Sequence, residues 1–237
     1  RDSSVTGVQT CALPISSDLR RLYLWALIPG LFAVLLSLTV PERAGVSRPA
    51  SGLFPSWKLI PSKFRLYLLV WALFSLANSS DAFLLLRARD AGFDLKGTVL
   101  LYCAYNCLYS LASPYLGGLS DLIGRKQLLI GGLVIFAFVY LGFAWANAPW
   151  QIWLLFMFYG LYMAATDGAG KALALDLMPK DRKATAIGAF GMVTGFSALF
   201  ASFVAGLLWD HFGPAAPFLY GSAGAVLAIF LLPLIRD

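Results

Sequence analysis

The sequence predicts an all-α protein that crosses a membrane several times, and three observations carry that prediction. Hydrophobic residues fill 59% of the 237 positions and charged ones only 13%, with a mean hydropathy of +0.76; soluble globular chains carry about a quarter charged residues. The apolar residues fall in runs of roughly 20, the length at which a helix crosses a hydrocarbon core of about 30 Å. The charges collect in the short connections between those runs. A net charge of +6 could suit nucleic acid. Bases lying between apolar runs suit lipid headgroups and helix orientation better, so no nucleic-acid partner is expected.

Seven spans follow in order. The chain opens on Arg1, and Val5 to Ile15 reads as a translated sequencing adapter without the long apolar core of a signal peptide. Residues 1–16 are therefore set aside as an artefact, and Cys11 with them. The first span runs from about Leu22 to Val40 and stops at Pro41-Glu42-Arg43. Residues 41–65, broken by Pro49, Pro55 and Pro61, form a polar connection. Leu66 to about Leu86 and Thr98 to Leu119 give the second and third spans. Gly117 to Lys126 turns into the fourth, Leu128 to Trp145. Asn147-Ala148-Pro149 leads into the fifth, Trp150 to about Leu177, which ends at the charged break Met178 to Lys183. Thr185 to Trp209 is the sixth span, and the last ends near Ile235 after His211-Phe212-Gly213-Pro214. Trp145, Trp150, Trp209 and Tyr220 are expected as interface anchors.

Counting Lys and Arg orients these spans. The connections at 41–65, 120–127 and 178–184, with the tail, hold eleven; those on the other side hold five. The positive-inside rule then puts the first set and the C-terminus in the cytoplasm.

Enzymatic chemistry finds little support. His211 is the single histidine and lies in a turn, so neither a nucleophile–histidine set nor a metal cluster is available. Cys103 and Cys107, one turn apart in an apolar run, are expected to pack. Gly168-Ala169-Gly170-Lys171 lacks the spacer and preceding strand of a phosphate loop, so nucleotide binding is not expected. No cofactor is expected beyond a proton gradient.

The spacing Gly117-x-x-x-Asp121-x-x-Gly124-Arg125-Lys126 resembles the signature loop of the major facilitator superfamily of secondary transporters. Leu122 departs from the pattern, which usually has Arg or Lys there. The resemblance implies a twelve-helix parent in two halves. Residues 17–40 would then be helix 6, residues 41–65 the cytoplasmic linker, and residues 66–237 the six-helix C-terminal half, with the N-terminal half missing. Such a protein moves a small solute across the membrane, here a bacterial inner membrane, with efflux favoured by family habit. The resemblance also implies a conformational latch of Gly117, Asp121, Gly124, Arg125, Lys126 and Asp176. In it Asp121 faces the helix starting near Thr185 and Arg125 pairs with Asp176.

Charges within spans mark the other candidates, because an unpaired charge there is costly and calls for a partner or a wet cavity. Asp167 and Lys171 stand one turn apart on the fifth span, and Asp81 follows Asn78-Ser79-Ser80 in the second. Asn78, Asp81, Asp167 and Lys171 are candidates for contact with substrate or a coupling proton; a self-neutralising Asp167–Lys171 pair is the plainer alternative. Tyr102, Tyr105, Asn106 and Tyr109 recur at helical spacing on the third span and line either a cavity or a helix contact. Arg87 and Arg89 are expected to snorkel to the interface. Gly117, Gly118 and the Gly191-x-x-x-Gly195 motif are expected to permit close helix approach. A non-transporting scaffold or receptor with the same fold is the remaining alternative; helix-end signatures of a seven-helix receptor are not visible.

Overall fold

The computed structural model describes residues 16–39 and 60–235, and among these regular structure is entirely helical. The adapter-like segment and most of the expected linker lie outside the described residues. Helix α1 (Ser16–Thr39) belongs to a unit of its own, residues 1–53. Its apolar side chains from Leu27 to Leu38 are largely exposed.

The second unit, from Phe54 on, is a bundle. It comprises α2 (Ser62–Ala77), α3 (Asp81–Asp90), α4 (Leu95–Ile123), α5 (Arg125–Trp145), α6 (Pro149–Asp176), α7 (Lys183–Phe212) and α8 (Ala216–Leu231). Short 3-10 turns cover Lys180–Arg182 and Leu232–Leu234. Local signals in the sequence explain most of the ends. Asp94 caps α4 by accepting from the Gly97 N–H at 2.8 Å. Pro149 opens α6, and the Gln151 amide oxygen accepts from the N–H groups of Asn147 and Ala148 at 3.0 Å each. Gly213 closes α7 at φ +91°.

Two expectations change here. The second span is not continuous: Asn78, Ser79 and Ser80 separate α2 from α3. Ser80 is the reason for the restart, since its hydroxyl accepts from the Ala82 N–H at 3.3 Å and caps α3. The signature is also less of a loop than its charges suggest. Helix runs through Ile123 and resumes at Arg125, so Gly124 alone makes the corner, at φ +96°. An L side chain is strained at that dihedral.

Five segments among the described residues are long and apolar enough to cross a membrane: 62–90, 125–145, 149–176, 180–212 and 216–234. Of the seven expected, α4 has the length at 29 residues, but its tyrosines, serines and Asn106 dilute its hydropathy. In α1 the stretch Gly30–Thr39 is apolar.

Helix α6 is central, packing against α4 and α5, while α8 backs α5 and α2, and α7 lies along α2. Aromatic rings fill the interior. Phe136 stacks on Tyr140 with centroids 3.9 Å apart, Phe143 on Phe218 at 5.6 Å, and Tyr67 on Phe190 at 6.1 Å. Against lipid these contacts act through close packing and internal hydrogen bonds, because acyl chains are as apolar as the rings.

Candidate functional site

The break in the second span organises the polar interior. Asn78 spends both ends of its amide there: its nitrogen donates to the Tyr162 hydroxyl and its oxygen accepts from the Tyr140 hydroxyl, each at 3.3 Å. Three residues later Asp81 opens α3, where the amino end of a helix favours negative charge. Its two carboxylate oxygens accept from different tyrosines, Oδ2 from Tyr105 on α4 and Oδ1 from Tyr159 on α6, both at 2.6 Å. Hydrogen bonds this short to an ionised acceptor are charge-assisted and among the stronger kinds.

Gly160 makes that clamp possible. A Cβ there would stand 2.7 Å from the Tyr105 carbonyl oxygen, so α4 and α6 approach backbone to backbone at the level of the two tyrosines. One turn further along α4, Tyr109 donates to Asp167 Oδ2 at 2.9 Å. Asp167 Oδ1 also pairs with Lys171 Nζ at 2.7 Å on its own helix. The face holding Tyr105 and Tyr109 thus serves one acid each. Tyr102 is exposed and meets Tyr105 edge-on, and the Asn106 amide turns back to the Tyr102 carbonyl at 2.9 Å.

A pocket of about 580 Å³ lies against the break, lined by Asn78, Ser79, Ser80, Asp81, Tyr102, Ala198, Leu199 and Ser202. The Ser79 hydroxyl is buried beside that of Tyr140 without meeting hydrogen-bond geometry. Tyr140, Tyr159 and Tyr162 were not singled out by sequence reasoning. The available signal is the recurrence of tyrosine at interior spacing within otherwise apolar spans.

At the other end of the bundle, Arg125 opens α5 and its guanidinium meets Asp176 at the end of α6 at 2.5 Å. It also donates to the Ala172 carbonyl at 2.9 Å and lies 3.8 Å from Asp121. Lys126 donates to the Ile235 carbonyl. Asp121 makes no hydrogen bond to the amino end of α7 among the described residues; the last turn of α4 aims it at Arg125 instead. A pocket of about 780 Å³ opens beside these charges and includes Lys63.

Three smaller expectations also change. Arg87 does not snorkel: it donates to the carbonyls of Phe143 at 3.0 Å and Ala146 at 2.8 Å, capping the end of α5. Cys103 and Cys107 are exposed on α4 rather than packed. Added Cβ atoms at Gly117, Gly118, Gly191 and Gly195 would meet nothing within 4 Å, so these faces make no close helix approach among the described residues.

The family model for the Major Facilitator Superfamily matches residues 88–237. The chain belongs to the major facilitator superfamily. It is 39% identical over 181 residues to an MFS-type transporter of Methanocaldococcus jannaschii, covering 74% of this chain and 45% of that protein. It is 32% identical over 126 residues to a multidrug resistance protein of Serratia proteamaculans, and 29% identical over 129 residues to a magnetosome protein of Paramagnetospirillum magneticum. Each of these two matches covers 53% of this chain and 30% of the relative. The chain thus spans less than half the length of these relatives. It is an integral membrane protein of a transporter family.

Proposed function

We propose that this superfamily chain is the C-terminal half, with helix 6 ahead of it as α1, of a secondary transporter that moves a small solute by alternating access. In this reading two six-helix halves rock about a site near the midplane. The observation that carries it is Asp81: a carboxylate inside a span, held by Tyr105 and Tyr159 and lining a pocket at a broken helix. Charges kept within the membrane line solute or ion paths as a rule. The open glycine faces of α4 and α7 are then where the N-terminal half packs, and residues 41–65 link the halves.

Proton-coupled export through Asp81 and Asp167 is the accompanying proposal, in a bacterial inner membrane with the signature end and the C-terminus in the cytoplasm. Arg125, Asp176 and Asp121 act as the latch, holding α5 against α6 in one state of the cycle. The relative named as a multidrug resistance protein supports the export direction. The experiment is transport by the complete reading frame in proteoliposomes, with and without a pH gradient. A rate that ignores the gradient and survives Asp81→Asn with Asp167→Asn rules out the proton proposal. Absence of any solute movement overturns the transport reading itself.

A further inference from the structure

We infer that the pocket at the α2–α3 break recognises an organic cation bearing an ammonium group, with Asp81 as its counter-charge. This rests on the transport reading and names the class of solute.

The first ground is a charge inventory. Asp167 has Lys171 at 2.7 Å and needs no further cation. Asp81 has no Lys, Arg or His within ion-pair distance among the described residues; its partners are the two tyrosine hydroxyls. Hydroxyl donors and a helix end spread a negative charge without cancelling it. The bases on its own helix are not available. Arg87 is bound to two carbonyls at the end of α5, and Arg89 is exposed near the far end of α3.

The second ground is the pocket wall. Asn78 is consumed by Tyr140 and Tyr162. What remains polar is the Asp81 carboxylate with the hydroxyls of Ser80, Tyr102 and Ser202, and among the described residues no cationic side chain lines the space. An anionic ligand would meet a carboxylate with nothing to offset it. An ammonium group supplies the donors and the charge together.

The third ground is shape. Ala198, Leu199 and the exposed ring of Tyr102 give an apolar and π surface next to the carboxylate, the setting that suits a cation carrying a hydrocarbon body. A volume of about 580 Å³ falls in the range of small-molecule pockets and far exceeds what a bare inorganic ion fills.

The test uses the full 237-residue chain in lipid nanodiscs, with 2-phenylethylammonium and its uncharged counterpart 2-phenylethanol as probes, read by equilibrium dialysis. Saturable binding of the ammonium is expected, weaker by roughly tenfold or more for the alcohol and for Asp81→Asn. Asp81→Glu should retain binding. Ala198→Phe fills the pocket from an exposed position on α7, so it should abolish binding even if Asp81→Asn fails to fold. Equal affinity for the two probes, no saturable binding, or stabilisation by sodium ion alone overturns the inference. Transport of uncharged solutes by the complete protein, with no ammonium binding here, sinks this inference and leaves the transport reading intact. Ammonium binding without any transport does the reverse.

Discussion

The Tyr105 hydroxyl reaches across 2.6 Å from α4 to the carboxylate of Asp81, the first residue after the break in the second span. With Tyr159 on the other oxygen, the acid ties three helices at one point. Deleting either hydroxyl leaves an oxygen short of a donor. Tyr105→Phe and Tyr159→Phe should each lower stability by about 1 kcal/mol, the modest scale of hydrogen bonds inside membrane proteins. A double-mutant cycle against Asp81→Asn in denaturant unfolding measures it. Strictly additive effects would mean the hydroxyls do not act through the carboxylate.

Gly160 should prove far less replaceable than Gly168. A methyl at 160 would press on the Tyr105 carbonyl at 2.7 Å, whereas at 168 it meets open space. Gly160→Ala is expected to cost about 1–3 kcal/mol by forcing α4 and α6 apart. It should also loosen the tyrosine contacts with both acids. Gly168→Ala should be near neutral, and thermal unfolding of the two variants side by side decides the matter.

The corner at Gly124 predicts a backbone effect without a packing effect. Nothing lies within 4 Å of a Cβ placed there, yet φ is +96°. Gly124→Ala should therefore destabilise by about 1–3 kcal/mol through dihedral strain alone. If alanine is tolerated without loss of melting temperature, the corner has more freedom than its geometry implies.

The ion pair of Arg125 with Asp176 separates stability from cycling. The side chains are 31% and 52% exposed, so solvent screening limits the pair to about 1 kcal/mol or less despite the 2.5 Å contact. Arg125→Ala should barely shift unfolding of this chain but should slow transport by the complete protein. Recovery of transport in the swapped pair, Arg125→Asp with Asp176→Arg, is the expected signature of a latch. Loss of transport explained wholly by loss of folded protein would remove it.

How much of this was readable from residues alone depends on the range of the interaction. The helical class followed from composition, and the Arg125–Asp176 contact joins two residues named together beforehand from the family pattern. The break at Asn78–Ser80 was not read, although the Asn-Ser-Ser run is a helix-capping sequence, because the apolar residues on both sides continue one hydropathy run. The partners of Asp81 were half visible. Tyr105 stood out by its spacing from Tyr102 and Tyr109, but Tyr159 lies 78 positions from Asp81, and only tertiary packing joins them. Arg87 misled for the same reason: an arginine at a span end looks interfacial until the carbonyls of Phe143 and Ala146 fold against it.

Helix α4 carries the tyrosines of both acids in its first half, with Tyr109 at its midpoint, and Asp121 with the Gly124 corner at its end. At 29 residues it is a rod of about 43 Å. About 18 Å of helix separates Tyr109 from Asp121, and Pro114 lies between them. A proline inside a helix removes one backbone hydrogen bond and gives the rod a point at which to bend. A single residue, Gly124, joins its end to Arg125, so a bend at Pro114 would be felt directly at the charged corner. The acids and the charged corner thus share one helix, and the place where it can bend lies between them.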